Sequence, residues 1–273
     1  TRALEHIAKT DPGVPVPRTI ASLDHEEYCR VADENGREHM VRLITWLDGR
    51  IIDESETGPE LLYRIGRMLA RLGLALRDFS HPAANHHLMW DLKNAAELIE
   101  LLPHIDDPDL SSMLERTLNL FQNQVLPVMD DFRHQVIHAD LNRGNILVSE
   151  PPREEVTGII DFGDMVHTPL IMDLAIAAAY HLSDHGDPLD KALEFIRGYH
   201  HTAALEDIEI EHLPVLMMSR LCTSITVQMW RAKLYPENSE YLLIHNQQAR
   251  RQLKHASSFS PAGLSDRISE ACR

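Results

Sequence analysis

The chain has 273 residues, 44% of them hydrophobic, enough for one two-lobed unit or two small domains around a sizeable core. Its formal net charge of −16 argues against nonspecific binding to nucleic acid or to an anionic membrane, and suits either a cationic small molecule or plain solubility. Three scattered cysteines (Cys29, Cys222, Cys272) point to a reducing, cytoplasmic compartment with neither disulfides nor a zinc site, and neither a signal peptide nor an apolar run of about 18 residues, the length of a membrane span, is visible.

Apolar residues at 3, 4, 7 and 8 predict a helix over 3–9, stopped by Asp11-Pro12-Gly13. Strand-like runs follow at 19–23, 28–32 and 39–46. Asn35-Gly36 between the last two supplies the positive φ of a tight hairpin turn. Asp48-Gly49 then breaks the chain. The remainder is mainly helical, with predicted helices over 59–79, 92–102, 110–129, 170–182, 189–205, 208–234 and 239–255. Pro214 belongs near a helix start or at a kink. Short strands are expected within 136–162. The tail from 257 reads as loosely ordered ahead of a last short helix. This gives a small β-rich part over 1–47, ending in a hinge, and a large helical part over 48–273.

The most informative run is His138-Ala139-Asp140-Leu141-Asn142-Arg143-Gly144-Asn145-Ile146-Leu147-Val148, followed by Ile159-Ile160-Asp161-Phe162-Gly163-Asp164. An Asp, an Asn five residues later and a second Asp sixteen beyond that lie beside short apolar strands. That is the layout of a phosphoryl-transfer site. One Asp takes the proton of an attacking hydroxyl, and the Asn and second Asp hold Mg²⁺ on nucleotide phosphates. The carboxamide and carboxylate oxygens are the hard donors that Mg²⁺ prefers.

The run resembles the catalytic and metal loops of the kinase fold. His-x-Asp followed by Asp-Phe-Gly-Asp is similar to the aminoglycoside phosphotransferase/choline kinase family rather than to protein kinases. No Ala-Pro-Glu landmark follows Asp161, and the helix at 170 leaves no room for a long activation loop. The resemblance implies an α+β, protein-kinase-like two-lobed fold with nucleotide between the lobes. It makes Asp140 the base and Asn145 and Asp161 the metal ligands, with ATP or GTP as co-substrate. His138 would support the loop, and Asp173 would accept hydrogen bonds from its backbone or simply cap a helix. Asp164 would join the metal shell or brace the loop. Arg143 would touch phosphate or substrate, or face solvent. Ile44, Thr45 and Trp46, within Arg42–Gly49, resemble the hinge that binds the base edge through its backbone.

The family also places two or three strands ahead of the first helix, bearing a phosphate-covering loop and a phosphate-contacting Lys. None is seen here, and Lys9 is the only lysine before Lys93. Glu5 stands where that helix carries the acidic partner of the Lys. Either more residues precede Thr1 in the full protein, or this form lacks part of its nucleotide site.

The substrate pocket is expected after residue 165, with Asp184, Asp187, Glu211 and Trp230 as candidates to hold an ammonium group. Arg220-Leu221-Cys222-Thr223-Ser224 and the stretch 234–243 resemble the C-terminal helices of the hydroxylysine kinase subgroup. This implies an amine-bearing substrate with a hydroxyl, an amino alcohol or a hydroxy amino acid. The competing reading is a non-catalytic kinase-like binding module.

Overall fold

The computed structural model describes residues 1–52, 57–151 and 154–273. Helix α1 (Arg2–Thr10) buries Ala3, Leu4 and Ile7 on one stripe. Asp11 ends it, accepting the Gly13 N–H at 3.0 Å and a two-pronged ion pair from Arg71. Extended chain follows, with Val14 and Val16 buried.

The expected N-terminal strands form, but shorter and in two separate ribbons. β1 (Thr19–Ile20) pairs with β4 (Leu43–Ile44), and β2 (Cys29–Ala32) pairs with β3 (Glu38–Val41), all antiparallel. The run 39–46 is therefore interrupted at Arg42, where the chain changes partners. The hairpin turn is as expected: Asp33 Oδ1 accepts the N–H groups of Asn35 and Arg37, both at 2.9 Å, and Gly36 has a φ of 77°. Every residue of β2 and β3 is exposed on both faces, so little burial stabilises that ribbon.

A strand absent from the sequence reading, β5 (Arg50–Ile51), follows Gly49 and joins the next lobe's sheet. Helix α2 (Pro59–Leu76) starts with proline in its first turn and buries a broad apolar stripe. It lies against α5 (Asp190–Thr202) with backbones nearly touching. A Cβ on Gly66 would fall 1.9 Å from the Phe195 carbonyl oxygen, and one on Gly198 2.0 Å from that of Tyr63.

Two expected helices differ in kind. The segment Leu92–His104 winds as a tighter 3₁₀ helix, capped by Asp91. The expected 110–129 helix is α3 (Pro108–Leu120), then a π turn at Phe121–Val125 and a 3₁₀ segment Leu126–Asp131. Pro127 in that last segment has no N–H to continue an α ladder.

Four short strands then frame the loops of interest. β6 (His134–Ile137) pairs with β9 (Val166–Pro169), and β7 (Ile146–Val148) pairs with β8 (Val156–Ile159) and β5. The 138–145 loop joins β6 to β7, and the 160–165 loop joins β8 to β9. Because the pairs are nested, both loops emerge at the same end.

The apolar helix α4 (Ile171–Ala179) is buried at every residue. The 28-residue α6 (Asp207–Leu234) runs through the helical part with Pro214 inside it. The expected 239–255 helix is two pieces, α7 (Ser239–Leu242) and α8 (Asn246–Ala256). The break places Asn246 inside, where its Nδ2 donates to Ile225 O (3.3 Å) and Gln228 Oε1 (3.1 Å). Residues 257–260 are a hydrogen-bonded turn rather than loose chain. They lead into α9 (Pro261–Ala271), whose Leu264 and Ile268 are buried. One apolar core runs through Ile7, Leu69, Ile137, Leu174, Phe195, Leu216, Leu253 and Ile268. No helix among the described residues is long and apolar enough to cross a membrane.

Candidate active site

The loop after β6 is fixed by buried groups beneath it. Asp173, in the first turn of α4, accepts the Ala139 N–H at 2.9 Å and the His138 N–H at 3.4 Å. Burial pushes its carboxyl pKa up, while His138 and these donors pull it down. Ala139 takes a φ of 65°, a strained value for a residue with a Cβ, and the Asp173 contact holds it there. His138 is fully buried, and burial lowers its pKa, so the neutral ring is favoured. Its Nε2 bonds the Ile160 carbonyl at 3.0 Å, and its Nδ1 accepts the Asp140 N–H at 3.3 Å. Those two partners assign the proton to Nε2.

Ile160 ties the loops together. Its carbonyl receives His138, and its N–H donates to the Asn145 carbonyl at 3.0 Å. Asp161, the next residue, is exposed and also has a left-handed φ of 60°, with its Oδ1 accepting the Gly163 N–H.

The two oxygens of Asp140 have different neighbours. Oδ2 accepts from Asn142 Nδ2 at 2.9 Å and from Asn145 Nδ2 at 3.0 Å. Asn145 Nδ2 also donates to the Asp140 carbonyl at 2.8 Å. Oδ1 faces Arg220 Nη2 at 3.2 Å. Burial raises the pKa of Asp140, against the pull of Arg220 and the two amides, and nearby Asp161 adds to the rise. Asp164 is raised by burial and by Asp140.

Asp140 and Asp164 border a cavity of about 450 Å³. Trp90, Tyr180 and Arg220 form one wall; Ser224, Gln228 and Tyr241 line more of it. Arg143 also lines the cavity, with its guanidinium bonded to the Tyr180 carbonyl at 2.8 Å. Arg220, Ser224 and Gln228 are spaced four apart on α6, one polar stripe on a mostly apolar helix.

The residues expected to hold an ammonium group lie elsewhere. Asp184 pairs with Arg251 and His185, and Asp187 pairs with Arg267. Glu211 is exposed on α6. Trp230, two residues beyond Gln228, is turned about 200° round the helix from the cavity stripe. The aromatic wall is instead Trp90 and Tyr180.

The hinge expectation is corrected at Thr45. Its N–H donates to Arg18 O and its hydroxyl accepts the Arg18 N–H, both at 2.9 Å, so Thr45 has no free N–H for a base edge. Ile44 is taken into β4, and Trp46 is 88% exposed. Glu5 pairs with Arg2 rather than with a lysine.

Asn142, Trp90, Tyr180 and Arg220 were not marked as site residues by sequence reading. The available signal was a lone arginine inside the apolar run of α6, which could be buried only against a partner.

The donor set suits a hard divalent cation. Asn145 spends its Nδ2 on Asp140, leaving Oδ1 as a neutral oxygen donor, and Asp161 adds a carboxylate. Among the described residues, no three His, Cys, Asp or Glu side chains gather in a way that could hold a metal alone.

The model of the phosphotransferase enzyme family, APH, matches residues 1–208. Hydroxylysine kinase from Bos taurus is 32% identical over 218 residues, covering 76% of this chain and 58% of that protein. The chain thus spans less than two thirds of that relative's length. Amicoumacin kinase hAmiN, solved with AMP-PNP, Ca²⁺ and Ami, superimposes with a TM-score of 0.66 at 17% identity, over 95% of this chain and 78% of that one. The microcompartment-associated aminopropanol kinase gives a TM-score of 0.65 at 18% identity, over 99% and 81%. The fold is the α+β, kinase-like two-lobed fold, and the chain belongs to the APH phosphotransferase enzyme family.

Proposed function

We propose that this chain is the catalytic part of a small-molecule kinase that transfers the γ-phosphoryl group of ATP or GTP to a substrate hydroxyl. The observation that carries this reading is the Asp140 carboxylate. It borders a cavity large enough for a small metabolite, and Asn145, bonded to it, and the adjacent loop of Asp161 supply metal-type donors. Asp140 orients the hydroxyl and takes its proton as the new O–P bond forms and the bond from Pγ to the β-phosphate oxygen breaks, releasing the nucleoside diphosphate. Asn145 and Asp161 would hold Mg²⁺, which when bound neutralises charge on the phosphates. His138 and Asp173 hold the loop in register.

The names of the similar proteins support an amine-bearing, hydroxylated substrate, an amino alcohol or a hydroxy amino acid. The three free cysteines support a cytoplasmic location. Nucleotide would enter beside residues 42–49, with Ile44 and Trp46 as its apolar neighbours.

The test is Mg²⁺-dependent binding of ATP and GTP, followed by turnover on a panel of hydroxylated amines and amino acids. Asp140→Asn should lower turnover by roughly 10²- to 10⁴-fold and leave nucleotide binding nearly intact. Asp161→Ala should weaken Mg²⁺-nucleotide binding itself. Full turnover in purified Asp140→Asn would remove Asp140 as the base. Absence of nucleotide binding in the unsubstituted protein would favour the non-catalytic module.

A further inference from the structure

Two polar side chains of α6 in the cavity wall have no task in the chemistry assigned above. Ser224 is only 6% exposed and lines the cavity, and its Oγ has no partner among the described residues. Gln228, one turn further on, lines the cavity too. Arg220, on the same stripe, meets Asp140 at 3.2 Å. With a rise of about 1.5 Å per residue, Ser224 stands about 6 Å and Gln228 about 12 Å along the helix from Arg220. Both therefore face the part of the cavity away from the base. A substrate held by its hydroxyl at Asp140 would place its other end there.

The neighbours of Gln228 fix which way its amide faces. Asn246 Oδ1 accepts Arg250 Nε at 2.7 Å, and a guanidinium can only donate. Asn246 Nδ2 donates to the Ile225 carbonyl at 3.3 Å, and a carbonyl can only accept. These contacts allow one setting of the Asn246 amide, and in it Nδ2 also donates to Gln228 Oε1 at 3.1 Å. Asn246 is buried and Arg250 Nη2 rests on Met229 Sδ at 2.9 Å, so this relay is part of the α6–α8 packing. Gln228 thus spends its oxygen on the protein and keeps both Nε2–H donors, which have no partner among the described residues. None of the residues that α6, α7 and α8 contribute to the cavity is acidic, so no carboxylate there takes these donors or holds an ammonium group. A donor pair of fixed direction beside an unmatched hydroxyl calls for an acceptor on the ligand.

We propose that Gln228 is a specificity-determining residue, aimed by Asn246 and Arg250 to donate to an acceptor oxygen at the end of the substrate remote from the transferred hydroxyl, with Ser224 beside it. This rests on the kinase reading above and concerns the far end of the substrate, whichever class the substrate belongs to. Three compounds with one 1-amino-2-hydroxy head and one chain length give the test. They are 6-amino-5-hydroxyhexanamide, 1,6-diaminohexan-2-ol and 1-aminoheptan-2-ol, which end in a carboxamide, an ammonium and a methyl group. In the wild type, kcat/KM should favour the amide over the methyl compound by roughly 3- to 10-fold, the value of one neutral hydrogen bond, and over the diamine by at least as much. Gln228→Met should erase the advantage of the amide, chiefly through KM. Gln228→Glu should reverse the order in favour of the diamine. Asn246→Asp removes the donor that holds Gln228 Oε1, so the Gln228 amide turns over and offers that oxygen to the cavity. It should shift preference toward the diamine, and only while Gln228 is present: in the Gln228→Met background it should leave the ratio where Gln228→Met puts it. Circular dichroism and thermal unfolding identify a variant that fails to fold. If Asn246→Asp is one, Gln228→Glu is read in its place.

A wild type that shows no preference for the amide, or prefers the diamine, would overturn the proposal. So would an equal loss for all three compounds in Gln228→Met, which would mean that Gln228 only supports the wall. Calorimetry separates these outcomes from failure of the kinase reading. If nothing is phosphorylated but the amide binds wild type more tightly than the methyl compound does, and Gln228→Met removes the difference, the remote site stands and the kinase reading falls. If wild type binds none of the three, the remote site falls.

Discussion

Two backbone N–H groups, those of His138 and Ala139, end on the carboxylate of Asp173, which is 1% exposed. They keep Ala139 in its left-handed conformation and so aim Asp140. Asp173→Ala would leave both donors buried and unpaired, at about 1–3 kcal/mol each. Urea denaturation should show that loss, and turnover should fall more than nucleotide affinity. A conservative Asp173→Asn should recover part of the stability, since its carboxamide oxygen still accepts from Ala139. That Asp140, Asn145 and Asp161 come together was legible because their grouping is written in local spacing. Arg220 and Trp90 were not, because Arg220 meets Asp140 only through the packing of α6, and Trp90, in the turn ahead of the Leu92–His104 segment, meets Arg220. The acids proposed for the amine failed for a related reason. A surface carboxylate reads identically whether it faces a cavity or a neighbouring arginine, and Asp184 and Asp187 face arginines.

At the level of elements, apolar periodicity located the helices well where one face packs on the core, as in α2 and α5. It was less reliable where the backbone carries its own constraint. Pro127 divides the 110–129 run, and buried Asn246 divides the 239–255 run, neither of which disturbs the spacing of leucines. The α2–α5 contact was equally invisible, since a helical glycine reads as a weakness until its neighbour is known. Gly66→Ala and Gly198→Ala would each drive a methyl into a carbonyl oxygen of the opposite helix. Each should destabilise the protein by about 3 kcal/mol or more, the upper range for overpacking. Gly73→Ala is the internal control. Its added Cβ would have no neighbour nearer than Leu170 Cδ1 at 3.6 Å. With the helix propensity of alanine, it should be neutral or stabilising by about 0.5–1 kcal/mol. Thermal unfolding of the three variants would separate steric interlock from propensity.

Across the whole molecule, α1 is fastened to α2 by the Asp11–Arg71 pair. Its hydrogen bond to Arg71 holds the Asp11 carboxyl below the usual carboxylate range. Because the folded pKa is depressed, this stabilisation is complete above the unfolded value of about 3.9 and is lost as pH falls through the folded value. Arg71 is 42% exposed, so solvent screening limits the pair to roughly 0.5–1 kcal/mol. Asp11→Asn should therefore lower stability by that amount at pH 7 and match the parent at about pH 2, as measured by urea titration. The near-contact of α2 and α5 has a further consequence, in time rather than energy. Helices whose backbones touch cannot open singly, so their amides should exchange with deuterium only through global unfolding, while the doubly exposed β2–β3 ribbon exchanges within its own fast local openings. A single exchange series would then display the molecule as a slow pair of helices beneath a fast ribbon.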